Sequence, residues 1–237
     1  MQSARGEGSP GWEGALLETT ASLAALWLGF AATHMGLSSV RLRPRLVARL
    51  GERGFQAAYS LVALALFVPL VWVYATHKHA GPWLWSLPHG PWLLAVAYLG
   101  NGLALVLLIS GFVQPSPVVR KDAPSEARGL LRLTRHPTFM AIGLWAATHL
   151  LPNGSAADVA FFGGMLGFAL VGAWHQDRRK LATGSPGFRE FYEATAFLRL
   201  GGAQALRGLR ELPPGVVLGG LAATVALRYF HRALFGP

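Results

Sequence analysis

Two histidines and one tripeptide carry the residue types in this chain that could do chemistry. His34 stands in the apolar stretch WLGFAATHMGLSS and His149 in WAATHLLPNG. An ionisable side chain well inside an apolar run is expensive in a bilayer and marks a functional position by default. The plainer alternative is a neutral imidazole that hydrogen-bonds a neighbouring helix. The tripeptide Arg135-His136-Pro137 opens the run that holds His149. Pro137 suits the first turn of a helix, where its missing N–H has no intrahelical acceptor to lose. His136 is then pushed towards extended backbone and the cap position. Free N–H groups at such an end, with Arg132 and Arg135 beside them, attract a phosphate, a carboxylate or a cofactor's propionate. Equally, the arginines read as ordinary anchors of a transmembrane helix.

His149 follows His136 by 13 residues, roughly 20 Å along a helix and about 220° around it. The two therefore cannot serve one small site from the same face. Haem b is the economical use for two neutral imidazoles in a dry bundle, because each can offer one nitrogen to iron while its other N–H is held by a carbonyl or hydroxyl. Trp27 and Ala31 share a face with His34, and Ile142, Trp145 and Ala146 share one with His149. Such faces suit a porphyrin and are also normal packing surfaces.

His77 and His79, with nearby His89, could make a weak metal site. No carboxylate in the neighbouring sequence supports it, and interfacial side chains are the preferred reading. His175 and His231 fall near helix ends, where solvent or headgroups account for them.

The elements that must position these residues are membrane helices. With 52% hydrophobic and 14% charged residues and a mean hydropathy of +0.38, the chain reads as an all-α polytopic membrane protein, a single bundle of about six transmembrane helices. The apolar runs fall near Ala15–Val40, Phe55–Thr76, Pro91–Phe112, Thr138–Leu151, Ala156–His175 and Gly215–Phe235, each long enough or nearly so for a core of about 30 Å. The fourth is the shortest and spans only if Arg135 lies near the headgroups. Met1–Gly14, rich in Gly, Ser and Pro, is expected to be a disordered, uncleaved extension of a transmembrane domain over residues 15–237. Leu181–Leu212 is expected to lie at the cytoplasmic interface. Pro69 is expected to kink the second helix and open room for a ligand. Helix contacts are expected along Ala156, Ala160, Gly163 and Gly167, and along Gly215, Gly219 and Ala223. Trp83, Trp85 and Trp92 read as an interfacial belt.

Seventeen of the 21 basic residues fall in alternate loops, which by the positive-inside rule face the cytoplasm and leave both termini outside it. The net charge of +10 is thus topological and calls for no nucleic acid. The absence of cysteine excludes disulfides, thiolate-bound clusters and covalent c-type haem.

Several motifs together carry a family likeness. RLTRHPTFMAIGLWAATHLLPNG, with FFGG and DRR after it, resembles the signature of the NnrU family of bacterial membrane proteins. WLGFAATHMGLSS, RPRLVARLGERGFQAAYSLVAL and the closing YFHRALFG are similar to that family too, so the likeness runs from Trp27 to Gly236. The resemblance implies a bacterial inner-membrane location and an association with nitrite and nitric oxide metabolism. It also implies kinship with the plant zeta-carotene isomerase, an integral-membrane haem b enzyme that isomerises a 15-cis double bond. In that relative one ligand histidine matches His34 and the other His149. The implied partners are membrane lipid, a redox donor and a hydrophobic or gaseous ligand. A difficulty stands beside this pairing: His34 lies near the cytoplasmic end of its helix and His149 nearer the outer end. Both would have to come within about 2 Å of one metal ion. His136 is therefore kept as a reserve ligand or propionate-site residue, with Arg135.

Membrane methyltransferases of the isoprenylcysteine and phospholipid type also open a helix with RHP and carry a loop similar to GFREFYEATAFLRL. They usually place a paired glutamate where this chain has His175, Gln176, Asp177, Arg178 and Arg179. A cytoplasmic pocket lined by Arg135 and His136 would still suit S-adenosylmethionine. A non-catalytic assembly protein is the third reading.

Overall fold

The computed structural model describes residues 10–88, 90–119, 126–184 and 186–235. His89, the first nine residues of the expected extension, Arg120 and Lys121 lie outside them. Each of the six apolar runs forms a helix. These are α1 (Pro10–Leu37), α2 (Leu42–Thr76), α3 (Pro91–Val113), α4 (Pro137–Leu150), a fifth run from Ala156 to Ala182 and α9 (Pro214–Phe235). The fifth comprises α5 (Ala156–Asp158), a π-helical turn (Val159–Gly163) and α6 (Gly164–Ala182). Short helices α7 (Phe188–Ala194) and α8 (Ala203–Arg210) and a 3-10 turn (Gly129–Arg132) complete the described residues. Helix α1 already begins at Pro10, inside the expected extension.

Among the described residues four helices are long and apolar enough to cross a membrane, or five where α8 and α9, bent by 83°, are counted as one span. The protein is thus a multi-pass membrane protein. Helix α4 has 14 residues, about 21 Å at 1.5 Å per residue, which is short of a bilayer core. It is packed between α3 and α6 instead, burying Met140, Ala141, Gly143, Ala146 and Thr148.

Neighbouring helices follow the order α2, α1, α6, α4, α3, α9. The outermost two expose apolar side chains: Leu61, Leu64, Val68 and Trp72 on α2, and Leu218, Leu221 and Val225 on α9. Exposed apolar faces of this kind are what lipid requires. Two cores lie between them. One joins Leu23, Trp27 and Phe30 to Leu70, Ala146, Phe161 and Phe162. The other joins Val106 and Leu107 to Met140, Ala173 and Val216.

Two expectations about helix shape are corrected. The residue with non-helical dihedrals inside α2 is Gly51 (φ 71°, ψ 167°), and the cavity described below lies near that break, not at Pro69. The close approach on the fifth run is made by Gly164, where a Cβ would overlap the Trp27 indole, whereas Gly167 has open space around it. The physical reason is the π-helical turn, which inserts one residue and rotates everything after it relative to a 3.6-residue pattern. On α9 the tightest approach is made by Gly220 against Val106; of the expected stripe Gly219 lies at ordinary contact distance from Ile109, while Gly215 has open space around it.

The basic loops converge on one end of the bundle. Arg132 donates to Glu211 at 2.7 Å, and the Gly129 N–H donates to the same carboxylate at 3.0 Å. Together they hold the Glu211 carboxyl below its ordinary value. Across the other end, the 80–85 loop is fastened to 154–157 by hydrogen bonds from Leu84 N to Gly154 O, Ala156 N to Pro82 O and Ala157 N to Ala80 O. Trp83 and Trp92 are exposed there, and the Trp85 indole donates to Leu150 O at 3.0 Å, as suits an interfacial belt.

Candidate functional site

The tripeptide occupies the start of α4 as the sequence implies, with Pro137 in the first turn and His136 at the cap. Its lead-in is fastened to the chain after α7: Arg135 N donates to Ala196 O, Arg199 N to Leu133 O and Thr134 Oγ1 to Phe197 O at 2.6 Å. Both side chains then meet one carboxylate. Arg135 Nε donates to Asp177 Oδ2 at 2.8 Å, and His136 Nε2 donates to Oδ1 at 2.9 Å. All three residues are buried. Arg135 also donates to Thr195 O and lies 4.1 Å above the Tyr192 ring. A helix end neutralised from within has little charge left for an outside anion, so Arg135 and His136 serve here as a clasp between α4, α6 and the α7 segment. Only Nδ1 of His136 faces away from this bond.

His34 stands elsewhere, in the last turn of α1. Its Nδ1 is buried and has no hydrogen-bond partner among the described residues, an arrangement that native structures rarely leave unexplained. The ring stacks on Phe30 with centroids 5.0 Å apart, lies 4.6 Å from Tyr59 and meets Phe168 edge-on. It lines a cavity of about 350 Å³ between α1, α2 and α6, together with Ser38, Tyr59, Phe139, His175, Gln176 and Arg179. Tyr59 OH donates to the carbonyl of His34 at 3.2 Å, which fixes the helix end that carries the imidazole.

His149 lies towards the opposite end of α4. Its Nδ1–H donates to Trp145 O at 2.8 Å, which leaves Nε2 as the bare nitrogen, the tautomer a metal ligand needs. The ring stacks on Phe162 at 5.0 Å. From Phe162, ring contacts run through Phe161, Trp27 and Phe30 to His34. His34 lies seven residues beyond Trp27, about 10 Å along the helix. The two histidines are thus joined by an aromatic chain and are not brought to one point.

A second polar cluster escaped the sequence reading. Asp158 is fully buried and accepts hydrogen bonds from Tyr74 OH at 2.8 Å, His79 Nδ1 at 2.9 Å and Ser155 Oγ at 2.7 Å. The signal was present: Ser155 and Asp158 have capping-box spacing and form that box. His79 therefore does have a carboxylate, supplied 79 residues away. Among the described residues no cluster of three metal-ligating side chains occurs. Asp177 was visible in sequence only within a stretch lacking paired glutamates, and His175 there and as a histidine near a helix end, since nothing local reveals which helix face they share with Arg135 or His34.

A helical bundle with a buried arginine–aspartate–histidine clasp and a cavity at one end defines a multi-pass membrane protein. The chain belongs to the NnrU protein family, whose family model matches residues 22–237. It is similar to two plant proteins named 15-cis-zeta-carotene isomerase, chloroplastic. The one from Arabidopsis thaliana is 27% identical over 192 residues, covering 79% of this chain and 51% of that protein. The one from Zea mays is 25% identical over 187 residues, covering 78% of this chain and 50% of that protein. The chain therefore spans about half the length of the curated relatives it matches. No solved structure matches.

Proposed function

We propose that this chain is a membrane-embedded cis–trans isomerase of polyene double bonds that works with haem b, in the bacterial inner membrane with its basic end towards the cytoplasm. The observation that carries the reading is the His34 imidazole: its Nδ1 is buried without a partner, and the residue lines a cavity and stacks within an aromatic cluster, in a chain similar to proteins named for this reaction. An imidazole nitrogen of this kind is the donor that haem iron takes, and flat aromatic walls suit a porphyrin. His34 and His149 are the residues that would hold the group. His34 would supply an imidazole whose Nδ1 has no hydrogen-bond partner, and His149 is set by Trp145 O in the tautomer that leaves Nε2 free.

Haem, when bound, supplies an iron centre whose ligation changes with redox state and which can polarise a double bond. The protein's own contribution is positional. Phe30, Tyr59 and Phe168 fix the plane of the His34 ring. Simultaneous ligation by His34 and His149 requires α4 to slide relative to α1, so the two histidines are tested separately. Arg135 and His136 remain as residues that shape the cytoplasmic end, through Asp177.

The experiment is a reduced-minus-oxidised optical spectrum of the detergent-purified protein with His34→Ala and His149→Ala beside it. A stoichiometric b-type spectrum, abolished by His34→Ala, is expected. Loss in both variants would support bis-histidine ligation; loss in the first alone would leave His34 as the ligand. Colourless protein after expression with ample haem would sink the proposal. With coloured protein in hand, assays with a 15-cis polyene and with nitric oxide separate isomerisation from the nitrogen-oxide chemistry associated with the family.

A further inference from the structure

Arg179 differs from the other cations at the basic end. Arg135 and His136 face Asp177, Arg132 faces Glu211, and Arg43 is paired with Glu52. Arg178 is exposed and lies over the Trp174 ring at 5.3 Å. Arg179 is half-buried, and among the described residues it has no carboxylate partner. Its recorded hydrogen bond runs from Nη1 to Ser38 O at 3.4 Å, at the outer limit of such a bond. A guanidinium has five N–H donors in a rigid fork, so nearly all of that capacity is unused. Its electrostatic neighbours are Tyr59 and Arg43, the latter paired with Glu52 on the wall of the same cavity.

The surroundings point to what kind of anion fits. Arg179 and His175 stand on the wall between two cavities. One is the His34 cavity of about 350 Å³. The other, about 570 Å³, is lined by Ser39, Val40, Trp174, Arg178, Leu181 and Ala182. Ser38 joins the two sides, since its carbonyl accepts from Arg179 and its hydroxyl lies 3.4 Å from His175 Nε2. A guanidinium with spare donors thus sits beside polar groups of Ser38 and His175, between a cavity bordered by Val40, Trp174, Leu181 and Ala182 and one lined by aromatic side chains together with polar ones such as Gln56, Ser60 and Gln176. We propose that Arg179, with Ser38 and His175, binds the carboxylate or phosphate of an amphiphile whose apolar body lies in one of these cavities. Planar bidentate capture of such an oxyanion is what guanidinium geometry favours. An acidic lipid head entering from the 570 Å³ side and a porphyrin propionate entering from the His34 side share this chemistry. The site stands whether or not haem is the resident cofactor.

The test uses the full chain in phosphatidylcholine nanodiscs and two acid–ester pairs of probes: spin-labelled stearate with its methyl ester, and haem with its dimethyl ester. The wild-type protein should bind at least one acid about tenfold or more tightly than its ester, the scale of one charge-assisted contact. Arg179→Gln should erase that preference, Arg179→Lys should retain part of it, and Arg178→Gln should leave it within about twofold. Stearate preference alone assigns a lipid head, and haem preference alone assigns a propionate. His34→Ala separates this site from the haem reading, because it should remove haem ligation and leave stearate binding intact. Equal binding of acid and ester by the wild-type protein in both pairs overturns the proposal without reliance on any variant. An acid preference unchanged in Arg179→Gln overturns it as well.

Discussion

Arg135 Nη2 lies 2.7 Å from Asp177 Oδ2, joining two buried residues 42 positions apart in the chain. The same carboxylate takes the His136 imidazole at 2.9 Å. This relationship changes the meaning of the RHP tripeptide: its charges hold α4 to α6 and to the segment after α7. The methyltransferase reading needed those charges to meet a cofactor, and they meet Asp177 instead.

Removal of the Asp177 carboxylate should therefore be among the most damaging single changes in the chain. Asp177→Ala leaves Arg135 and His136 buried without their acceptor, a loss of about 3–5 kcal/mol, and should lower the melting temperature in detergent markedly. Adding Arg135→Ala to it should destabilise far less than the sum of the two single changes, because the second removes the stranded charge. Additive losses in that double-mutant cycle would mean that the clasp contributes no coupling.

At the other end, Asp158 organises the loop that follows α2. Asp158→Ala leaves Tyr74, His79 and Ser155 without their shared acceptor, a penalty of about 1–3 kcal/mol for each buried group so stranded. Hydrogen exchange at the Leu84 and Ala157 amides, which fasten 80–85 to 154–157, should accelerate by about tenfold or more. Exchange at Arg135 and Arg199, on the basic end, should stay as in the unmodified chain. Uniform acceleration at both ends would show that Asp158 supports global stability and not this loop.

The π-helical turn makes a prediction about register. Gly164→Val places a side chain into the Trp27 indole and should destabilise by about 1–3 kcal/mol. Gly167→Ala, where nothing lies within 4 Å, should stay within about 0.5 kcal/mol. Thermal melts of the two variants side by side would decide; the reverse order would mean that the fifth run is a regular α-helix with Gly163 and Gly167 on its contact face.

Much of this protein was legible in the sequence because membranes impose strong one-dimensional rules. Apolar runs of fixed length mark helices whose backbone groups must be satisfied internally. Six runs appeared and six helical segments formed. The alternation of basic loops pointed to a common end, and Arg132, Arg135 and Arg179 do meet there. Pro137 started α4 where its missing N–H dictates. The family likeness from Trp27 onward, carried by ordered motifs, agrees with the match over residues 22–237.

What the tertiary structure decided concerns partners. Hydropathy cannot distinguish a short helix that spans from one enclosed by neighbours, so the place of α4 between α3 and α6 was invisible. A periodic pattern presumes 3.6 residues per turn, so one inserted residue in the π turn moved the contact glycine from Gly163 to Gly164. Charges in sequence carry no information about which carboxylate will face them across 42 or 79 residues. The sequence by itself therefore determined that His34 and His149 stand in apolar surroundings and that Arg135 and His136 open a helix. Only the packing of α1 against α2 and α6 gave His34 a cavity and left Arg179 without a carboxylate among the described residues, and only that of α4 against α6 gave Arg135 and His136 to Asp177, because side-chain electrostatics are settled by distances between helices and those distances exist only in the folded bundle.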